Sequence, residues 1–247
     1  MFLTTRGLVL RETRYKEADK LLTVLAEGQG KLTVKARGAL RKGSRLGGAS
    51  QTLCYSEFTL FGNRGRWTAD EGSSLEQFLG LREDISQLAL GAYFAELLDT
   101  VCAEAVPADG ALRLALNALY ALSRGIYGAA HIKSVFELRL LSLEGFEPAV
   151  DACGVCGRTD IPDPMFSPAS GIVHCRGCAS LADGASVPLD EASLSAMRHI
   201  VSAPVKRVFS FVIPDASEER LSRACEAFVR QQLDTGFHSL EYWKSVR

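Results

Sequence analysis

The stretch Lys20-Leu-Leu-Thr-Val-Leu-Ala-Glu-Gly-Gln-Gly-Lys-Leu-Thr-Val-Lys-Ala-Arg-Gly38 decides how the first third of this chain folds. Residues 31–38 alternate between polar and apolar side chains, which is the period of a strand with one buried face. Residues 20–26 form a second strand pattern, and residues 27–30 between the two carry two glycines, as hairpin turns often do. The stretch therefore predicts two strands joined by a tight turn.

Three further strand patterns surround this pair, at residues 5–11, 55–61 and 67–70. About five short strands within 80 residues are typical of a small β-barrel or a β-sandwich. We expect Phe58 and Phe61 in the core of this domain. Residues 39–50 are rich in glycine and serine and are predicted to form a loop.

After residue 80 the apolar side chains recur every three or four residues, which indicates helices. Residues 206–213 fit either a buried helix or a strand. The sequence thus predicts an α+β protein with a β domain at 1–80 and a mainly helical domain at 81–247. The predicted helices lie within residues 84–105, 112–122, 132–143, 189–202 and 217–234.

Charge is unevenly distributed, although the formal net charge is only −1. Residues 1–80 hold 13 basic and 8 acidic residues, residues 81–152 hold 5 and 10, and residues 153–247 hold 10 and 11. The basic first third favours a polyanionic partner. No apolar run is long enough for a membrane span, and the N-terminus lacks a signal-peptide pattern, so we expect a cytoplasmic protein.

Two CxxC pairs, Cys153–Cys156 and Cys175–Cys178, are separated by 18 residues. Each pair can present two thiolates to one metal ion, and together they match the spacing of a four-cysteine zinc site. Four thiolates leave no open position, so one structural zinc is predicted to staple residues 149–182. His174 is a weaker alternative ligand. Three other cysteines are predicted to be buried apolar residues, namely Cys54, Cys102 and Cys225.

Six basic residues without an intervening acid occupy positions 31–45, and two more flank a later turn. A basic, glycine-containing loop on a small barrel can follow a phosphate backbone. Tyr15, Tyr55 and Trp67 are candidate stacking faces. The alternative is an ordinary solvated basic face. The predicted DNA-binding residues are Lys31, Lys35, Arg37, Arg41, Lys42, Arg45, Arg64 and Arg66.

No catalytic motif is present: there is no P-loop, GxSxG, HExxH or dinucleotide glycine fingerprint. A binding protein is therefore favoured over an enzyme. Two alternatives stay open. One is a protein-interaction scaffold that contains zinc and does not bind DNA, and the other is a nuclease, for which no suitable cluster of acids is apparent.

Several segments in order resemble the RecO family of bacterial recombination mediators. They are residues 5–10 (TRGLVL), 15–21 (YKEADKL), 27–31 (EGQGK), 36–44 (ARGALRKGS), 136–141 (FELRLL) and 145–148 (GFEP), the last leading into the first CxxC pair. The resemblance covers nearly the whole chain.

The resemblance implies a five-stranded OB-fold, a helical C-terminal domain and an inserted zinc module. Family members bind single- and double-stranded DNA, anneal complementary strands and load recombinase onto strands coated with single-strand-binding protein. The implied partners are RecR, single-strand-binding protein and, in some bacteria, RecF, and the implied location is the nucleoid. Some members lack the cysteines, which fits a structural role for the zinc.

Overall fold

The computed structural model describes residues 1–63 and 66–247. Contacts group the chain into two compact units, which are Met1–Arg124 together with Phe237–Arg247, and Gly125–Gly236. The strands of the first third thus share a unit with several helices that follow them. The domain boundary predicted after residue 80 stays a prediction, because a grouping of residues by contacts does not define where one domain ends and the next begins.

Five strands close into a barrel in the first unit, in the order β1-β2-β3-β5-β4. Neighbouring strands are antiparallel except β3 and β5, which pair in parallel. Closure leaves no open sheet edge. It confirms the predicted five-stranded barrel and rules out the sandwich. The strands are β1 (Phe2–Tyr15), β2 (Asp19–Ala26), β3 (Gly30–Ala36), β4 (Tyr55–Asn63) and β5 (Arg66–Glu76).

The barrel core is built from the alternate residues of each strand that point inward. Phe58 and Leu60 of β4 are buried in it, whereas Phe61 is 42% exposed. The prediction that Phe61 lies in the core was wrong, because residues three apart on a strand face opposite sides of the sheet. Leu46, in the short helix α1 (Leu46–Ala49), also packs into the barrel core.

Helices complete the first unit. Helix α2 begins after Asp84, whose carboxylate accepts a hydrogen bond from the Ser86 amide at 2.7 Å. The last helix packs against α2, and the ring of Phe237 meets that of Tyr93 edge-on with 5.5 Å between centroids. The helical elements of this unit are a 3-10 turn (Leu79–Arg82), α2 (Ile85–Val101), α3 (Asp109–Ser123) and α7 (His238–Val246).

The second unit combines three helices with a small sheet of strand order β7-β6-β8. Phe166 of the sheet is fully buried and meets Phe228 of α6 edge-on at 5.4 Å, so the sheet is anchored on that helix. Residues 206–213 are neither helix nor strand. The elements are α4 (Ala129–Leu143), β6 (Pro164–Ser167), β7 (Ile172–Cys175), β8 (Val187–Pro188), α5 (Glu191–Ser202) and α6 (Asp215–Leu233).

A buried ion pair joins α4 to α6 in this unit. The Lys133 ammonium lies 3.0 Å from the Glu137 carboxylate and 3.2 Å from that of Glu226. Burial alone would lower the pKa of Lys133, but the two carboxylates outweigh it and raise that pKa above its ordinary value. This lysine is therefore a charged structural element. Among the described residues, no helix is both long and apolar enough to cross a bilayer.

Gly28 in the β2–β3 turn and Gly30 at the start of β3 give a matched test of how this hairpin packs. Gly28 and Gly30 both have positive φ, at +64° and +73°. A Cβ on Gly28 would meet nothing within 4 Å, whereas one on Gly30 would lie 1.9 Å from the Val106 carbonyl oxygen. Gly28→Ala is expected to cost about 1 kcal/mol for the left-handed backbone, and Gly30→Ala about 2–4 kcal/mol because backbone must also move. Urea unfolding of both variants measures the difference, and equal costs would contradict the described packing.

Candidate metal centre and candidate nucleic-acid surface

Four cysteines converge on one point of the second unit. Cys153 and Cys156 lie in a tight turn, Cys175 ends β7 and Cys178 lies in the following 3-10 turn (Arg176–Leu181). Their sulfur atoms all lie within 4.8 Å of one another. Tetrahedral zinc with bonds of about 2.3 Å requires sulfur atoms about 3.8 Å apart. The four residues predicted from the CxxC spacing are thus close together and can hold a metal ion.

Backbone hydrogen bonds shape this cluster locally. The Gly154 amide donates to the Val173 carbonyl at 2.9 Å, which ties the first CxxC turn to β7. A Cβ on Gly154 would lie 2.9 Å from the Ile172 side chain, so glycine allows this close approach. Gly157 has φ +74°, and its amide closes the turn by donating a hydrogen bond to the Cys153 carbonyl. The geometry explains the two glycines of the first CxxC turn, Gly154 and Gly157.

The thiols of the cluster differ in acidity. Burial opposes ionisation of Cys153, but amide hydrogen bonds from Cys156 and Cys175 outweigh it and lower its pKa to about 6. Burial, followed by hydrogen bonding to Cys153 and Cys156, raises the pKa of Cys175 to about 12. The pKa of Cys178 is raised for the same reasons. The first thiolate to form opposes ionisation of the other three thiols by charge repulsion. A bound cation offsets this repulsion and so stabilises the fully ionised cluster.

His174 is not positioned as a ligand, although it adjoins Cys175. Its Nε2 pairs with the Ser186 hydroxyl at 2.8 Å and its Nδ1 with the Cys175 carbonyl at 2.9 Å. The ring is fully buried. Both nitrogens are therefore engaged in holding the strand. The cysteines Cys54, Cys102 and Cys225 are buried, as expected.

On the barrel, the β1–β2 turn meets the loop that follows β3. The Leu40 amide donates to the Ala18 carbonyl at 2.9 Å, and the Gly38 amide donates to the Asp19 carboxylate at 2.8 Å. Lys35 pairs with the same carboxylate at 2.9 Å. The Gly38 hydrogen bond and then Lys35 lower the pKa of Asp19. Asp19 thus fixes two basic segments beside each other.

The cationic residues at this junction are together called the basic surface. Arg41 and Lys42 are exposed, and no ion pair involves either of them among the described residues. Arg37 is exposed and lies 3.5 Å from the exposed Asp70. Exposed pairs of this kind contribute little stability, so the guanidinium is free to exchange its partner. The basic surface comprises Lys16, Lys35, Arg37, Arg41 and Lys42.

Lys16 is a member that the sequence reasoning missed. It lies in the turn between β1 and β2, and its ammonium is 5.5 Å from the Tyr15 ring centroid. The Lys35 ammonium lies at the same distance from that ring. The signal in the sequence is the YKEAD segment itself, which places a lysine in a turn beside an aromatic residue. Among the predicted stacking residues, Tyr15 alone lies beside these two lysines.

The remaining predicted residues lie in other surroundings. The Lys31 side chain is 14% exposed and pairs with the Asp99 carboxylate at 3.2 Å. Arg45 is exposed and pairs with Glu71 at 3.0 Å. Arg66 is exposed at the start of β5, and Arg64 lies outside the described residues. The structure therefore gathers Lys35, Arg37, Arg41 and Lys42 together, whereas Lys31 bonds within the protein.

The other two predicted stacking residues have structural contacts. The Tyr55 hydroxyl donates to the Glu27 carboxylate. Burial, followed by this hydrogen bond, raises the pKa of Tyr55 to about 12. Trp67 covers Gly62 and packs partly buried against the barrel core.

Comparison with known proteins identifies the class of the chain. Residues 1–78 match the sequence model described as "Recombination protein O N terminal", and residues 82–241 match "Recombination protein O C terminal". The chain therefore belongs to the recombination protein O family, a family of DNA repair and recombination proteins. The two matches meet near residue 80.

Individual relatives match over nearly their whole length. The chain is 31% identical to "DNA repair protein RecO" of Acetivibrio thermocellus, over 99% of the chain and 97% of the relative. The protein of the same name from Desulforudis audaxviator is 33% identical, with 98% and 96% covered. That of Rubrobacter xylanophilus is 32% identical, with 91% and 90% covered.

The cysteine cluster predicts a specific pattern of metal loss. We expect about one metal ion for each wild-type chain, because the four thiolates converge on a single point. Cys175→Ser should lose that ion, since serine is a poor ligand for a soft site. Cys102→Ser is the matched control, because it replaces a buried cysteine outside the cluster. Native mass spectrometry measures the content, and a Cys175→Ser protein that keeps its metal would contradict the site.

Proposed function

We propose that this protein is a DNA-binding recombination mediator that anneals complementary strands and helps load recombinase onto protein-coated single-stranded DNA. One observation carries the proposal. A closed barrel in a chain of this family gathers exposed cationic side chains where the β1–β2 turn meets the loop after β3. The finer activity is an inference from this surface and from family membership.

Phosphate neutralisation supplies the binding energy in this proposal. Arg37, Arg41 and Lys42 reach solvent, so they can approach a phosphate backbone without first breaking a buried contact. Each neutralised phosphate releases condensed counterions, which makes the affinity salt-dependent. Single and double strands both present phosphates, so binding to both is expected. Contacts with phosphates carry no information about base sequence.

Annealing follows from the same electrostatics. Two complementary strands repel each other through their phosphates, and a cationic surface lowers that repulsion when it contacts both. The proposed partners are RecR, single-strand-binding protein and RecF, and the proposed place of action is the nucleoid. In this scheme the protein acts by binding, and it holds no substrate through a chemical step.

We also propose that the metal is a single structural zinc held by Cys153, Cys156, Cys175 and Cys178. Four thiolates are a ligand set that zinc favours, and they leave no position for a substrate. When bound, zinc supplies a cross-link between the first CxxC turn and the end of β7. Phe166 of the neighbouring sheet is buried against Phe228 of α6. The cross-link therefore supports the packing of the second unit.

The basic surface predicts a charge-specific loss of binding. In the triple variant Arg37→Glu, Arg41→Glu and Lys42→Glu, affinity for single-stranded DNA should fall because three phosphate contacts become repulsive. The slope of log K against log salt should become shallower by about 2, since each contact with a single strand contributes about 0.7. Fluorescence anisotropy with a labelled oligonucleotide measures both quantities.

A control with the same charge change separates local contact from net charge. Arg113→Glu, Lys206→Glu and Arg223→Glu alter three exposed residues outside the barrel strands. They should leave most of the salt slope in place. A triple variant of the basic surface that keeps wild-type affinity and slope would overturn the assignment. A wild-type protein without DNA binding would favour the protein-only scaffold.

Zinc affinity is expected to fall as pH falls. The ligands must lose protons before they bind, and the pKa of Cys175 is about 12 in the metal-free cluster, so protons compete with the metal. Between about pH 8 and about pH 6 the dissociation constant should rise about a hundredfold or more, because each proton released on binding changes it about tenfold for every pH unit. Competition with a chromophoric chelator measures it, and a pH-independent constant would contradict thiolate ligation.

A further inference from the structure

The outer face of the barrel carries an aromatic pair that the proposed function does not use. Phe2 on β1 lies directly opposite Phe61 on β4, and their ring centroids are 5.3 Å apart at an interplanar angle of 54°. Phe2 is 77% exposed and Phe61 is 42% exposed. Two large apolar rings thus lie side by side in solvent, although side chains of this kind are usually buried.

The pair is held in place by backbone bonds. The Gly62 amide donates to the Met1 carbonyl at 2.8 Å, and the N-terminal ammonium of Met1 donates to the Gly62 carbonyl at 3.2 Å. These bonds continue the β1–β4 ladder to the first residue. Phe2 is therefore part of the barrel wall and presents its ring in a defined position.

A row of residues links this pair to the basic surface. Lys35 of β3 is paired with Thr68 of β5, Thr68 with Phe61 of β4, and Phe61 with Phe2 of β1. Paired residues point to the same side of a sheet, and the residues before and after Lys35 are buried, so this row faces outward. Three strand spacings amount to roughly 14 Å along the barrel surface.

A second cation lies beside the aromatic pair. Arg66 is exposed and is two residues from Thr68 on β5, so it lies on the same face as Phe61 and diagonal to it. Lys35 therefore ends the row at the side away from Phe2, and Arg66 lies beside the row on β5. A polyanionic chain that carries flat apolar rings matches both features, because its phosphates meet the cations and its bases meet the phenylalanines.

We propose that Phe2 and Phe61 form a stacking site for an unpaired base of a single strand whose phosphates lie on the basic surface. This inference rests on the proposed function and extends it, because it gives the protein a means of preferring unpaired strands. In a duplex the bases are stacked on each other and are not available to this site. The β3–β5–β4–β1 row would then be the path of the strand across the barrel.

The test compares three DNA ligands on the full-length protein. They are a single-stranded oligonucleotide, a strand of the same length with abasic residues at most positions, and a duplex. Any affinity tag is placed at the C-terminus so that Met1 and Phe2 stay in their native context. For the double variant Phe2→Ala and Phe61→Ala, affinity for the normal single strand should fall about tenfold. Affinity for the abasic strand and the duplex should stay within about twofold, and the salt slope should not change.

Two further variants keep the test sharp. Phe2→Leu with Phe61→Leu keeps apolar side chains but removes the rings, and it should lose nearly as much single-strand affinity as the alanine variant. Tyr120→Ala removes an aromatic residue that is 48% exposed on α3 of the same unit, and it should bind like the wild type. Circular dichroism and thermal unfolding of each variant establish that the barrel is folded.

The outcomes separate this inference from the proposed function. Wild-type affinity in both double variants would overturn the stacking site while leaving the basic surface intact. An equal loss on the abasic strand would also overturn it, since the rings would then act without bases. Absence of DNA binding by the wild-type protein would instead overturn the proposed function itself. Restored affinity in the leucine variant would show a general apolar contact and contradict base stacking.

Discussion

The parallel pairing of β3 with β5 is the constraint on which the first unit depends. It joins Val34, Lys35 and Ala36 to residues 67–69, which are more than thirty positions away along the chain. Without it the five strands would form an open sheet with two free edges. It also sets where the chain goes next, because the Arg37 amide donates to the Ala69 carbonyl at 3.0 Å just as the basic loop begins. The charge of that loop therefore has a fixed place on the barrel.

Burial divides the cations of the protein into two groups with different tasks. Lys31 and Lys133 are shielded and paired with carboxylates, and removing such a pair's partner is costly in a low-dielectric setting. Arg41 and Lys42 are solvated and cost nothing to redirect toward a phosphate. Counting basic residues along the chain cannot separate these groups. Lys31 pairs with the carboxylate of Asp99, which lies 68 residues away along the chain.

Sequence patterns predicted what depends on local spacing. The alternation over 31–38 marked β3, and the two CxxC pairs marked the cysteine cluster, because both signals lie within a few neighbouring residues. Long-range pairing escaped prediction. The order of strands, the return of α7 to α2 through Phe237 and Tyr93, and the contact of the β1–β2 turn with Leu40 all join distant segments. The prediction that Phe61 is buried was wrong for a simpler reason. Phe58 and Phe61 are three residues apart, and side chains on a strand alternate between its two faces.

Under the proposed function, DNA lies on the barrel at the junction of the β1–β2 turn and the loop after β3. Hydrogen–deuterium exchange of the full-length protein, with and without a single-stranded oligonucleotide, tests this most directly. We expect slower exchange within residues 15–20 and 35–45, because bound phosphates would cover and rigidify these segments. Unchanged exchange there, with protection confined to residues 125–236, would contradict it.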